Sequence, residues 1–100
     1  MRIEVLYFQD CPNYLPALAC LKTVLAQEAL SAEILEVEVK DASAAKELNF
    51  FGSPTIRING LDIDPDSRAV TERGLECRRY GGSLPPEEMI RVALRDAREH

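Results

Sequence analysis

Between Arg2 and Phe8 the chain reads RIEVLYF, with apolar residues at both odd and even positions and only Glu4 interrupting them. A run of this kind predicts a strand buried on both faces, in the interior of a sheet. Glu33 to Val39 alternates instead, with Leu35, Val37 and Val39 set against Glu36 and Glu38. That pattern predicts a strand with one wet face, near a sheet edge. Between the two, Leu15, Leu18, Leu21, Val24 and Leu25 form a wide apolar face at helical spacing, predicting a helix from Pro12 to Leu30. Pro12 suits the first helical position, where its missing N–H costs nothing. Pro16, just past the first turn, is expected to bend the helix.

Downstream, Asp41 is a cap for a short helix over Ala42 to Asn49, with Gly52 placed to end it. Thr55 to Asn59 and Leu61 to Asp64 flank Asn59-Gly60, the strongest short hairpin signal in the chain. Pro65 to Gly74 reads as a polar loop, and Leu75 to Tyr80 as a further candidate strand that Gly81-Gly82 ends. Pro86 opens a last helix with Glu87 and Glu88 in its first turn. Its buried stripe is Met89, Ile90, Ala93, Leu94 and Ala97. The order βαβ, short helix, ββα predicts an α/β fold with a four-stranded mixed sheet and helices on both faces. The βαβ unit supplies parallel strands and the hairpin an antiparallel addition.

The chain has 100 residues, which suits a single domain spanning 1–100 with one modest core. A net charge of −5 argues against nucleic acid as a partner, since phosphate binding needs a basic face. The opening MRIEVLYFQD is broken by Glu4 and followed by no small-residue cleavage site, so it does not read as a signal peptide. No stretch nears the roughly 18 apolar residues of a membrane helix. A cytoplasmic protein with no membrane partner is therefore expected. Three cysteines are too few for a disulfide framework and are expected to be thiols. The single histidine, His100, leaves little basis for a zinc site or a Cys-His pair, and neither a metal nor a cofactor is expected. DIDPD at 62–66 has the look of a calcium loop but lacks glycine at its sixth position and has Arg73 at its twelfth.

The candidate chemistry starts at Cys11, at the junction of the first strand and first helix. The amides of Asn13 and Tyr14 and the positive end of the helix dipole would favour a thiolate there, the nucleophilic and oxidisable form. Tyr14, one turn on, is a candidate either to hydrogen-bond the sulfur or to shield it as a rim aromatic. Cys20 is nine positions beyond Cys11, which on a helix points it to the opposite side, so it reads as a core thiol.

Two motifs, CPNY at 11–14 and GSPT at 52–55, resemble the thioredoxin superfamily, and the likeness covers nearly the whole chain. YFQDCPNYLPAL, FFGSPTIRINGLDID and CRRY followed by PPEEMIRVAL look more closely like a family of short bacterial thioredoxin-like proteins, some with selenocysteine where Cys11 stands. The resemblance implies a redox role for Cys11 and a cis peptide before Pro54, which would pack against it. It also implies that Ser53, Pro54 and Thr55 form a groove for an extended substrate. Tyr14 replaces the second cysteine of the thioredoxin motif, so no dithiol cycle is possible within it. The turn after the last strand borders the active cysteine in such folds, so Cys77 becomes a candidate resolving thiol or, with Cys11, a soft-metal ligand. The alternative for Cys77 is a buried strand residue. The function so implied is thiol redox chemistry at Cys11, through a mixed disulfide with a protein or low-molecular-weight thiol, or through a sulfenate. The alternatives are soft-metal binding by Cys11 and Cys77, and a redox-inert peptide-binding scaffold.

Overall fold

The structure, a computed structural model, describes residues 1–9, 11–48, 50, 52–64 and 85–99. It contains β1 (Arg2–Tyr7), α1 (Tyr14–Gln27), β2 (Glu33–Glu38), α2 (Ala42–Glu47), β3 (Thr55–Ile58), β4 (Leu61–Asp62) and α3 (Glu87–Glu99). The strands form a four-stranded mixed sheet in the order β2-β1-β3-β4. β1 runs parallel to β2, from Arg2 opposite Glu33 to Tyr7 opposite Glu38. It runs antiparallel to β3, with Ile3 opposite Ile58 and Leu6 opposite Thr55. The first strand is therefore interior and the alternating strand lies at an edge, as their patterns require.

The two parities of β1 feed two cores. Ile3 and Val5 join Ile56 and Ile58 of β3 in one cluster, covered by Leu18, Leu21, Val24 and Leu25 of α1 and by Ile90 and Leu94 of α3. Leu6, on the other face, packs with Val39, Ala45 of α2 and Phe50. Helices thus cover both faces. Glu4, the one acidic residue of the central strand, stands opposite Arg57, which in turn stands opposite Asp62 of β4. The expected stripe of α3 faces the core, with Ile90 and Leu94 buried and Met89, Ala93 and Ala97 partly buried against it, but Leu15 is not part of the α1 face: it is 67% exposed.

Several boundaries differ from the sequence reading, each for a local reason. α1 begins at Tyr14, not Pro12. A helix starting at Pro12 would need the N–H of Pro16 to reach the Pro12 carbonyl, and proline has none. Starting at Tyr14 puts Pro16 at the third helical position, where an N–H has no helical partner anyway, and the first i→i−4 bond runs from Ala17 to Asn13 at 3.1 Å. At the other end, Leu30 N–H reaches the Leu25 carbonyl (3.0 Å) and Ala29 N–H the Ala26 carbonyl (3.1 Å), with Ala29 at φ 53. This paired closure is a Schellman motif with alanine at the left-handed position that usually holds glycine. α2 is capped by Asp41, whose carboxylate accepts from Ala44 N–H at 2.7 Å. It ends at Glu47, before Gly52 is reached, because Phe50 N–H closes onto the Ala45 carbonyl at 2.8 Å and both side chains sink into the same core. Asn59 and Gly60 carry φ values of 52 and 86, as the tight hairpin between β3 and β4 requires. β4 stops at Asp62, whose carboxylate accepts from Asp64 N–H (2.9 Å) and turns the chain off the ladder. The candidate strand Leu75 to Tyr80 and the loop Pro65 to Gly74 lie outside the described residues.

α1 and α3 are joined at the surface through Glu28. Arg95 forks onto its carboxylate (2.8 and 3.4 Å), and Arg91 lies 3.8 Å from it while bonding Gln27 (2.8 Å) and Glu88 (2.7 Å). The hydrogen bond from Arg95, aided by the charges of Arg95, Arg91 and Arg98, holds the Glu28 carboxyl below its usual range against a smaller opposing effect of desolvation. Two outcomes are expected. Ala29→Gly should raise stability by about 0.5–1 kcal/mol, since it removes a β-carbon from a left-handed backbone; a lower urea midpoint would contradict this. A lowered carboxyl contributes stability that is present above its unfolded pKa of about 4.3 and lost as pH falls through the lower folded value. Glu28→Gln should therefore lower the urea midpoint at pH 7, and the gap from the parent protein should narrow as pH falls below the unfolded pKa.

Candidate functional site

β1 ends at Tyr7, and Phe8 continues its direction into the turn that carries Cys11. Phe8 is the fixed point of this turn. Its N–H donates to Ser53 Oγ at 3.3 Å, and its carbonyl accepts from Cys11 N–H, also at 3.3 Å. Its ring packs beside Leu6 and Val37 against the α2 face. Because β1 and β3 are antiparallel neighbours, with Leu6 opposite Thr55, the residues just before β3 arrive beside those just after β1. That topology brings Ser53 to Phe8, and through Phe8 to Cys11.

Ser53, Pro54 and Thr55 are all buried, and the Ser53–Pro54 peptide is cis, as expected. Thr55 Oγ1 donates to the Gly52 carbonyl at 2.6 Å, tightening the segment as it enters β3. The side chains of Ser53 and Thr55 are thus turned inward onto the protein's own main chain. Ser53 does so by holding the far side of the Cys11 turn.

Cys11 is a free, partly buried thiol three residues before the first helical residue. The recessed helix start changes the surroundings the sequence suggested for it. Tyr14 N–H donates to the Cys11 carbonyl at 3.4 Å, so this amide is aimed at the cysteine's own main chain. The Tyr14 ring goes to Tyr7: the two stack with centroids 3.8 Å apart and planes 5° from parallel, and Tyr14 also borders the main core. The stack joins the last residue of β1 to the first of α1, across the Cys11 turn.

Cys20, also a free thiol, packs at the edge of the main core. Burial pushes its pKa up, Glu87 of α3 pushes it further, and Arg91 offsets part of this. It belongs to the α1–α3 contact and not to the Cys11 turn, as its helical position requires. Cys77 lies outside the described residues. Among the described residues no three of His, Cys, Asp and Glu converge as metal ligands, and no helix is long and apolar enough to cross a membrane. The Asp62 carboxylate of the DIDPD segment is engaged by Asp64 N–H.

Two participants were not legible beforehand. Tyr7 shares the parity of Ile3 and Val5 and stands seven residues before Tyr14, but only the turn between them makes the rings meet. Phe8 acts through its main chain, which leaves no mark on residue type. No protein-family model matches the chain, and neither a curated protein nor a solved structure matches it.

The difference between the two described thiols is measurable. Alkylation proceeds through the thiolate, and burial disfavours that form at Cys20. With iodoacetamide at neutral pH, Cys11 should be modified severalfold faster than Cys20 in peptide-resolved mass spectrometry. Equal rates would leave Cys11 no more available than a core thiol.

Proposed function

We propose that this chain is a thioredoxin-like protein that carries out thiol–disulfide chemistry through Cys11. What supports the reading is one junction: Phe8 receives Cys11 through its carbonyl and Ser53 through its N–H, so a free thiol and the Ser53-Pro54-Thr55 segment meet at the end of the central strand. The thioredoxin-like likeness of CPNY and GSPT is the second support.

The reaction proceeds in two exchanges. The Cys11 thiolate attacks one sulfur of a disulfide R–S–S–R; that bond breaks, Cys11–S–S–R forms and R–S⁻ leaves. A second thiolate then attacks the Cys11 sulfur of the mixed disulfide; that bond breaks, a disulfide between Cys11 and the second thiol forms, and the other R–S⁻ leaves. Two electrons pass from Cys11 and the second thiol to the original disulfide, which ends as two R–S⁻. Tyr14 occupies the place of a neighbouring resolving cysteine, so the second thiol is Cys77 or a low-molecular-weight thiol. Cys20 is unsuited to the part, being raised in pKa and committed to α3. Ser53, Pro54 and Thr55 are buried, and their part is to brace the Cys11 turn through the bond between Ser53 and Phe8.

Oxidised glutathione tests this. Incubation should give a glutathione adduct at Cys11 and not at Cys20, and Cys11→Ser should abolish it. In a Cys77→Ser variant the adduct should persist, if Cys77 is the resolving thiol, where the parent protein goes on to a Cys11–Cys77 disulfide. An adduct at Cys20 alone, or none at all, would refute the proposal.

A further inference from the structure

We propose that Tyr7 is a positioning residue for Cys11, acting through its stack on Tyr14. The inference deepens the thiol reading above and rests on it only for the consequence in exchange chemistry.

The argument begins with the two backbone bonds that hold Cys11. Its N–H reaches the Phe8 carbonyl at 3.3 Å, and its carbonyl receives Tyr14 N–H at 3.4 Å. Both exceed the usual N–H···O range of about 2.7–3.2 Å, so neither is a strong restraint. No helical hydrogen bond reinforces them, because Pro16 has pushed the first i→i−4 bond to Ala17–Asn13. The turn must be closed by something else.

Tyr7 is placed to do this. Its main chain is fixed on the sheet, opposite Glu38 of β2, and its carbonyl accepts from Val39 N–H at 2.6 Å. Its ring lies flat on that of Tyr14, 3.8 Å between centroids and 5° between planes. Tyr14 is in turn anchored against the core beneath α1. The stack therefore fixes the start of the helix relative to the end of the strand, with Cys11 between. A rigid cysteine backbone fixes where the sulfur is presented, on the turn held by the Phe8 main chain to which Ser53 is also bonded. Neither tyrosine needs to touch the reacting sulfur for this.

The test compares Tyr7→Leu, which keeps apolar bulk but loses the stack, with Tyr7→Phe, which keeps the ring. Amide hydrogen exchange is followed by NMR. In Tyr7→Leu the Cys11 and Tyr14 amides should exchange about 2- to 10-fold faster, the opening expected from loss of one aromatic pair. Val5 and Ile56 amides should be unchanged, and Tyr7→Phe should match the parent protein. Formation of the glutathione adduct at Cys11 should slow by a comparable factor in Tyr7→Leu and not in Tyr7→Phe. Unchanged exchange at Cys11, or equal acceleration at Val5 and Ile56, overturns the inference, as does an adduct rate that is unchanged or faster. If the parent protein forms no adduct, the thiol reading fails, while the amide comparison still decides whether Tyr7 positions Cys11.

Discussion

β1 is hydrogen-bonded along both edges and buried on both faces, and everything around Cys11 is placed by that strand. Ile3 and Val5 are fully enclosed on one side, and Leu6 is 1% exposed on the other. Each such side chain contributes on the order of 1.5–3 kcal/mol by burial. A slip of one residue would turn all of them to the wrong faces and disrupt two ladders at once. The end of β1 is consequently an immovable point. Phe8 inherits that rigidity, and Ser53 arrives beside it because β3 is locked to the same strand by the pairing of Leu6 with Thr55. Only the strand side of the turn is fixed in this way; the bonds that flank Cys11 are long, and the helix side is held by the stack of Tyr14 on Tyr7.

Pro16 sets the other boundary of the turn. A residue without an N–H is free of cost only within the first helical turn, so its position dictates how early α1 can start. The helix yields two residues, Pro12 and Asn13 fall into the connecting turn, and Cys11 stands further from the helix end than the CPNY motif alone suggests. The influence of a helix end falls off within a turn. Side-chain packing between Tyr7 and Tyr14 takes over the task of fixing the junction, where an earlier helix start would have used backbone bonds.

What was readable in the sequence was whatever depends on local pattern. The run RIEVLYF, apolar at both odd and even positions, allowed only an interior strand, Asn59-Gly60 only a tight hairpin, and the Met89 to Ala97 spacing only one buried helix face. What was not readable depends on which residues the fold brings together. Leu15 has helical spacing with Leu18 and Leu25, yet at the exposed second position of a helix that starts late it faces solvent. α2 ends short of Gly52 because Phe50 finds the α2 core, a contact no neighbour in sequence announces. The candidate site divides in the same way. Cys11 and the Ser53-Pro54-Thr55 segment are marked by residue type, whereas the bond from Phe8 to Ser53 spans 45 positions and exists only through sheet register.

The Glu28 ion-pair network and the Cys11 turn lie at opposite ends of α1. The helix has 14 residues, about 20 Å at 1.5 Å per residue, with the Cys11 turn before its start and the Glu28 clasp to α3 just past its end. At physiological ionic strength exposed charges are screened over about 8 Å. The Arg91, Arg95 and Glu28 network thus acts on how α3 is held, and on Cys20 midway along α1, where Glu87 and Arg91 have opposite effects. It is too distant to set the electrostatics at Cys11. Salt and acid should accordingly loosen the helix pair while leaving the turn at the far end in place, since that turn is held by aromatic stacking and by the sheet, neither of which depends on ionised groups.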